Sequence, residues 1–269
     1  MEIEEKLQVD SIDEGIYIEP KQSANTLFKF MKKEKYLKTI LEKDAIIPRY
    51  NTEIIDYLKL DILDEIAFPM SCFCDININK IDLHTQKYGR YGIGLKKEWL
   101  YKNLDIEPIH YVNPESNEIK DFREAFKVAL SDTENKSVQI LSNYLLTSLL
   151  YMKPIQGKML IDGKENNLCF HDEREWRYIP QINEKEITPI LWGKTLNSSY
   201  MEICNKALER KRKYWLKFSP KDVNYITVGS EEDANYFAEI IYGKKNYNFQ
   251  QKMDLISKII ILDNLGKDW

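Results

Sequence analysis

The chain has 269 residues, of which 43% are hydrophobic and 30% charged, so it can build a sizeable core as one large domain or two small ones. A net charge of −4 and a pI near 5.6 argue against general affinity for nucleic acid or anionic membranes. No apolar run is long enough to span a bilayer, and the acidic start MEIEEKLQVDSIDEG does not read as an export signal. The four cysteines fit a reducing, cytoplasmic setting in which they stay free.

In chain order, residues 1–25 read as a weakly structured lead-in, and residues 26–269 as one α+β domain. LFKFM (27–31) predicts a short strand. In residues 32–44, Tyr36, Leu37, Ile40 and Leu41 recur at helical spacing. AIIPRY leaves that helix in extended form at Pro48. FPMSCFCDI (68–76) predicts a buried strand, and residues 78–89 a helix closed by Gly89. YGIGL (91–95) and EPIHYV (107–112) predict two more strands, the glycines of the first permitting tight backbone geometry. A helical insert of about 115–153 follows, its second half apolar nearly all round. GKMLIDGKENNLCFHDEREWRYIP predicts a hairpin, turning at Asp162-Gly163 or at the polar KENN. The basic run in 202–215 is interspersed with Glu202 and Glu209 and reads as a solvated helix face. DVNYITV (222–228) predicts a strand, the next segment a helix capped by Ser230 with Asp233, and LISKIIIL (255–262) a buried strand.

The densest chemistry lies in FHDEREWRYIP (170–180). If the whole stretch is a strand, alternation puts His171, Glu173, Glu175 and Arg177 on one face, and Trp176 and Tyr178 on the other. Two carboxylates two residues apart suit acid–base work or stabilisation of a developing cation, with Arg177 or Arg174 moderating their repulsion. The bland alternative is a salt-bridged edge strand whose charges block further pairing, and the residues alone favour it slightly. Cys72 and Cys74 with Cys169 and His171 would supply four zinc ligands, but two one-residue spacings are unlike a zinc knuckle, and no metal is expected. A serine-nucleophile elbow and a phosphate-binding loop are both missing from the sequence.

PMSCFCDI, HTQKYGRYGIGLKKEW, HDEREWRYIP and the opening LFKFMKKEKYLKTILEKDAIIPRYNTE together resemble the AbiGi family of bacterial abortive-infection proteins, over roughly residues 25–240. That resemblance implies phage defence, as the antitoxin half of a two-gene system whose toxin is nucleotidyltransferase-like, and hence a protein partner. More distantly, the order of F-x-F strand, helix, I-P-R-Y and late E-x-E strand looks like the ADP-ribosyltransferase superfamily. This second resemblance implies a split β-sheet core with a helical insertion, and NAD as substrate for ADP-ribose transfer or cleavage. By it Glu175 matches the catalytic glutamate and Glu173 the acceptor-positioning residue two before it. Ser71, Arg49, Lys29, Tyr88, Tyr91, His171 and Arg177 become candidates for the NAD site. Lys29 departs from the superfamily, which has His or Arg there, and Arg49 is the candidate substitute. An active enzyme requires Glu175, Glu173, Ser71 and Arg49 to share a cleft with an aromatic ring for stacking; a binding protein does not.

Overall fold

The computed structural model describes residues 17–61, 63–102, 105–131, 135–161 and 164–268. β1 (Thr26–Met31) leads into α1 (Glu34–Lys43), whose buried side is Leu37, Ile40 and Leu41 and which stops where Asp44 turns left-handed at φ 51°. β2 (Ala45–Ile46), β3 (Arg49–Ile54) and the long β4 (Glu65–Cys74) follow, then α2 (Asp82–Tyr88), β5 (Tyr91–Lys96) and α3 (Lys97–Tyr101). β6 (Ile106–Pro108) and β7 (His110–Val112) precede the insert of α4 (Asn117–Ser131) and α5 (Lys136–Leu150). β8 (Met152–Pro154), β9 (Gln156–Ile161), β10 (Lys164–Cys169) and β11 (Glu175–Tyr178) lead to α6 (Ser198–Arg210) and β12 (Leu216–Lys217). β13 (Val223–Val228), α7 (Glu231–Tyr242), α8 (Phe249–Ile256), β14 (Ile259–Ile261) and α9 (Leu262–Asp268) complete the chain's described elements.

The main sheet runs β14-β13-β5-β1-β4-β11-β6, with β3 also on β4. β4 organises it. One edge carries β11, from Cys74 to Ser71, and then a bridge from Ala67 to Leu191. The other edge meets β1 at the single pair Phe28↔Cys74 and takes β3 from Met70 to Glu65. The sheet therefore parts between β1 and β3. Alternation along β4 sends Ile66, Phe68 and Met70 against Ile119 and Phe126 of α4 and Leu145 and Leu149 of α5. Phe73 points the other way and joins a core closed by α1 and α7. The fold is α+β.

Three expectations need correction. Residues 107–112 are not one strand: Ile109 still donates its N–H to Glu175 O at 3.0 Å, but His110 donates to Tyr151 O at 2.7 Å. The ladder thus changes partner between Ile109 and His110, and β7 pairs in parallel with β8. Residues 255–262 are not a buried strand: Asn248 and Gln251 form a capping box that starts α8, Leu255 is that helix's buried residue, and only Ile259–Ile261 pairs, at the edge beside β13. In 170–180 only Glu175–Tyr178 is strand. Residues Phe170–Glu173 form a 3-10 turn ended by Arg174 at φ 45°. The β9–β10 hairpin exists, but its predicted turn at 162–163 lies outside the described residues, as do residues 1–16 of the lead-in.

Candidate functional site

β11 is an interior strand, between β4 and β6, so the edge-strand reading fails and its charges are buried. Arg177 is fully enclosed at 0% exposure, with Glu173 and Glu175 at 5% and 6%. Glu175 and Arg177 stand two apart on one face of β11, and the Arg177 Nε donates to Glu175 Oε1 at 2.7 Å. A second arm of the guanidinium reaches Glu53 Oε2 on β3 at 3.0 Å, and a third donates to the Leu150 carbonyl at the end of α5 at 2.7 Å. Lys153, on β8, completes the cluster with 2.9 Å to Glu173 Oε2 and 3.0 Å to Glu175 Oε2. Tyr88 of α2 donates its hydroxyl to Glu173 Oε1, and the Glu175 N–H donates to the Tyr111 hydroxyl at 2.8 Å.

These contacts fix the ionisation. Burial by itself would raise the Glu175 carboxyl, but the Arg177 and Lys153 cations outweigh it and hold the group down to about 2. Burial would likewise lower Lys153, yet the carboxylates of Glu175, Glu173 and Glu53 keep it charged well above the lysine range. His84 goes the other way: burial pushes it down to about 4, so it is neutral beside Glu173.

The cluster forms the floor of a cleft of 370 Å³ at the parting of β1 and β3, walled by Phe30, His84, Tyr88 and Met159 with Lys29 and Cys72 at its waist. Of the sequence candidates, this cleft brings together Glu175, Glu173, Lys29 and Tyr88, with Arg177 behind Glu175. The others are elsewhere. Ser71 is buried on the opposite face of β4 from Cys72, its hydroxyl without a partner among the described residues. Arg49 lies on an adjoining lip, bonded to Glu209 at 2.9 Å and Glu202 at 3.4 Å. Tyr91 bonds Asp233 at 3.0 Å in a separate cavity beside α7. His171, in the 3-10 turn rather than on the strand, is exposed and packs edge-on against Tyr111 at 5.1 Å. Trp176 faces the other side of the sheet, beneath the Lys97 ammonium.

Sequence reasoning missed Lys153, Glu53 and Tyr111. Lys153 did carry a signal: it is the one charge in the apolar run LLYMKPI, where an ammonium needs a buried partner. Glu53 and Tyr111 carried none, since only the topology brings β3 and β7 to β11. Among the described residues no group of three or more His, Cys, Asp or Glu side chains is placed to hold a metal ion, and no helix there is long and apolar enough to cross a membrane.

A mixed α+β protein with its charges locked under a parted sheet is the class these features define. Residues 34–229 match the family model AbiGi, described as an abortive phage resistance protein and antitoxin. The chain belongs to the AbiGi family. It is 32% identical over 249 residues to an abortive phage resistance protein AbiGi from Lactococcus lactis subsp. cremoris, covering 84% of this chain and 100% of that protein. No solved structure matches it.

Proposed function

We propose that this abortive-infection protein is the antitoxin of a toxin–antitoxin pair and acts by binding a partner toxin, not by turning over NAD. The family description supplies the antitoxin role. The observation that carries binding over catalysis is the state of Glu175. Both of its oxygens are engaged, one by Arg177 and one by Lys153, and the residue is only 6% exposed, so a ribose hydroxyl would compete with two buried cations for the carboxylate. Removing a partner from such a buried pair exposes an uncompensated charge, so the cluster serves as a rigid brace. Ser71 and Arg49, which an NAD site of the superfamily pattern would need nearby, lie elsewhere, Ser71 buried on the opposite face of β4 and Arg49 bonded to Glu209 on the adjoining lip.

A second reading, ADP-ribose transfer or NAD cleavage, is favoured by one observation: Lys29, Tyr88, Glu173 and Glu175 line a single cleft where the sheet parts. One experiment separates the two. The chain is co-expressed with the toxin encoded by the neighbouring gene, and the purified chain is assayed for nicotinamide release from NAD. Growth rescue with a co-purifying complex, and no release above background, is the expected result. Nicotinamide release that Glu175→Gln abolishes, in a variant still folded by circular dichroism, transfers the conclusion to the enzyme.

A further inference from the structure

The parting between β1 and β3 holds one cation more than the brace uses. Lys29, at the middle of β1, lines both the 370 Å³ cleft over the carboxylates and an adjoining cavity of 450 Å³ under α1, and Asn51 and Met70 are shared between the two. Its ammonium lies 6.0 Å from the centre of the Phe73 ring. The carboxylates nearest to it are committed elsewhere, Glu53 to Arg177, Glu173 to Lys153, and Glu175 to both. Among the described residues no hydrogen bond or ion pair reaches the Lys29 ammonium. Burial lowers its pKa, with the Cys72 thiol and Glu175 opposing that shift. A half-buried ammonium with a ring beside it and no hydrogen-bond or ion-pair partner is a poor resting arrangement, and an anion brought to it supplies the missing pair.

The 450 Å³ cavity falls within the roughly 300–1,000 Å³ range of small-molecule sites. Beyond Lys29 most of its lining is apolar, with Met31, Ile40, Ile46, Ile47 and Met70 on the walls, while Thr39 and Asn51 add neutral polar groups and Lys35, Arg49 and Glu209 the remaining charges. We propose that this cavity binds a small organic monoanion with an apolar body, its acid group paired with Lys29 and its body lying between α1 and β3. The charge pattern sets the limit to one negative charge. Glu53, Glu173 and Glu175 lie on the far side of Lys29, and Glu209 stands at the opposite lip with Arg49 already bonded to it. A diphosphate or other polyanion would meet repulsion from both ends, offset by the rim residue Lys35, which rests over the Tyr36 ring at 5.3 Å, and by an Arg49 already shared between Glu202 and Glu209.

Octanoate is a suitable probe, with octanol and octylammonium as the neutral and cationic controls, titrated into the full chain by calorimetry. The expected result is saturable binding of one octanoate, at least about tenfold weaker binding of both controls, and loss of about tenfold or more in Lys29→Met. Lys35→Met, at the rim, changes octanoate binding by less than about threefold. Octanoate raises the melting temperature of the wild type and not of Lys29→Met, which alone melts no lower than wild type because it removes an unpaired ammonium. Equal octanoate binding in wild type and Lys29→Met overturns the proposal, as does no saturable binding to the wild type. A melting temperature lowered by Lys29→Met also counts against it, since it would mean that the ammonium already has a stabilising partner.

Discussion

At the scale of single residues, the cleft makes stability depend on pH through two groups with separate windows. His84 is held neutral by burial, its folded pKa of about 4 lying below the ordinary 6.5. Between those values the unfolded chain takes up the proton and the folded chain does not, so the contribution of His84 is complete above 6.5 and is lost as pH falls toward 4. Glu175 acts lower. Its folded pKa of about 2 against 4.5 makes its contribution complete above 4.5, and that contribution is lost as pH falls through 2. Urea midpoints measured from pH 7 down to 5, above the Glu175 window, are therefore expected to fall in the wild type and to stay nearly level over the same span in His84→Gln. An equal fall in both proteins would show that the imidazole is not the group responsible. How far this chemistry could be read from sequence follows from chain distance. Glu175 and Arg177, two apart, share a face by strand alternation alone. Glu173 escapes the rule because Arg174 reverses the backbone at φ 45°, yet it still reaches Glu175 through Lys153. That lysine is twenty residues away, and local pattern does not reach so far.

At the scale of elements, β5 shows how a short motif decides what the cleft is lined with. Phe28 and Phe30 of β1 are paired directly with Gly94 and Gly92 of β5. A Cβ at Gly94 would sit 2.8 Å from the Phe28 ring and 2.7 Å from the Thr26 methyl, and one at Gly92 would sit 2.8 Å from the Phe30 ring. The missing side chains let both rings lie over the strand, with Phe28 stacked on Phe30 at 5.6 Å and on Tyr225 at 5.7 Å. Gly94→Ala should therefore destabilise the fold by about 1–3 kcal/mol, as overpacking does. Equilibrium urea unfolding measures this, and a change under about 0.5 kcal/mol, the level of a neutral surface substitution, would mean the rings are free to shift. The elements legible in the sequence are those that carry their own punctuation. α1 has its buried stripe, and α7 has Ser230 and Asp233 in a reciprocal capping box. The apolar run before residue 262 misled because its hydrophobicity is shared between the buried side of α8 and a three-residue edge strand, and continuous apolar runs do not by themselves separate helix from strand.

At the scale of the whole molecule, the family match stops at residue 229, in the turn after β13, but the physical unit does not. Phe237 and Ile241 of α7 and Leu255 of α8 are buried in the same core as Leu37 and Leu41 of α1 and Ile93 of β5. β14 pairs with β13 and covers what would otherwise be an open edge of the main sheet. Lys244 reaches back across the chain to the end of α1, donating to the Leu41 carbonyl and to Asp44 Oδ1, while Asn246 bonds Asp44 Oδ2 at 3.1 Å. This satisfies a helix C-terminus that the left-handed Asp44 leaves with exposed carbonyls. Ending the chain after Gly229 would uncover the apolar face of α1 and leave β13 as an unpaired edge. Such a truncation is expected to be insoluble, or soluble without a cooperative urea transition and without near-ultraviolet dichroism, whereas the full chain is expected to show both. A truncated protein that unfolds cooperatively at the wild-type midpoint would mean that the last forty residues form an independent layer. The cavity under α1 makes the same demand: α1 is its roof, α7 holds α1 in place, and a chain shortened at the family boundary would lose the wall against which the Lys29 site is built.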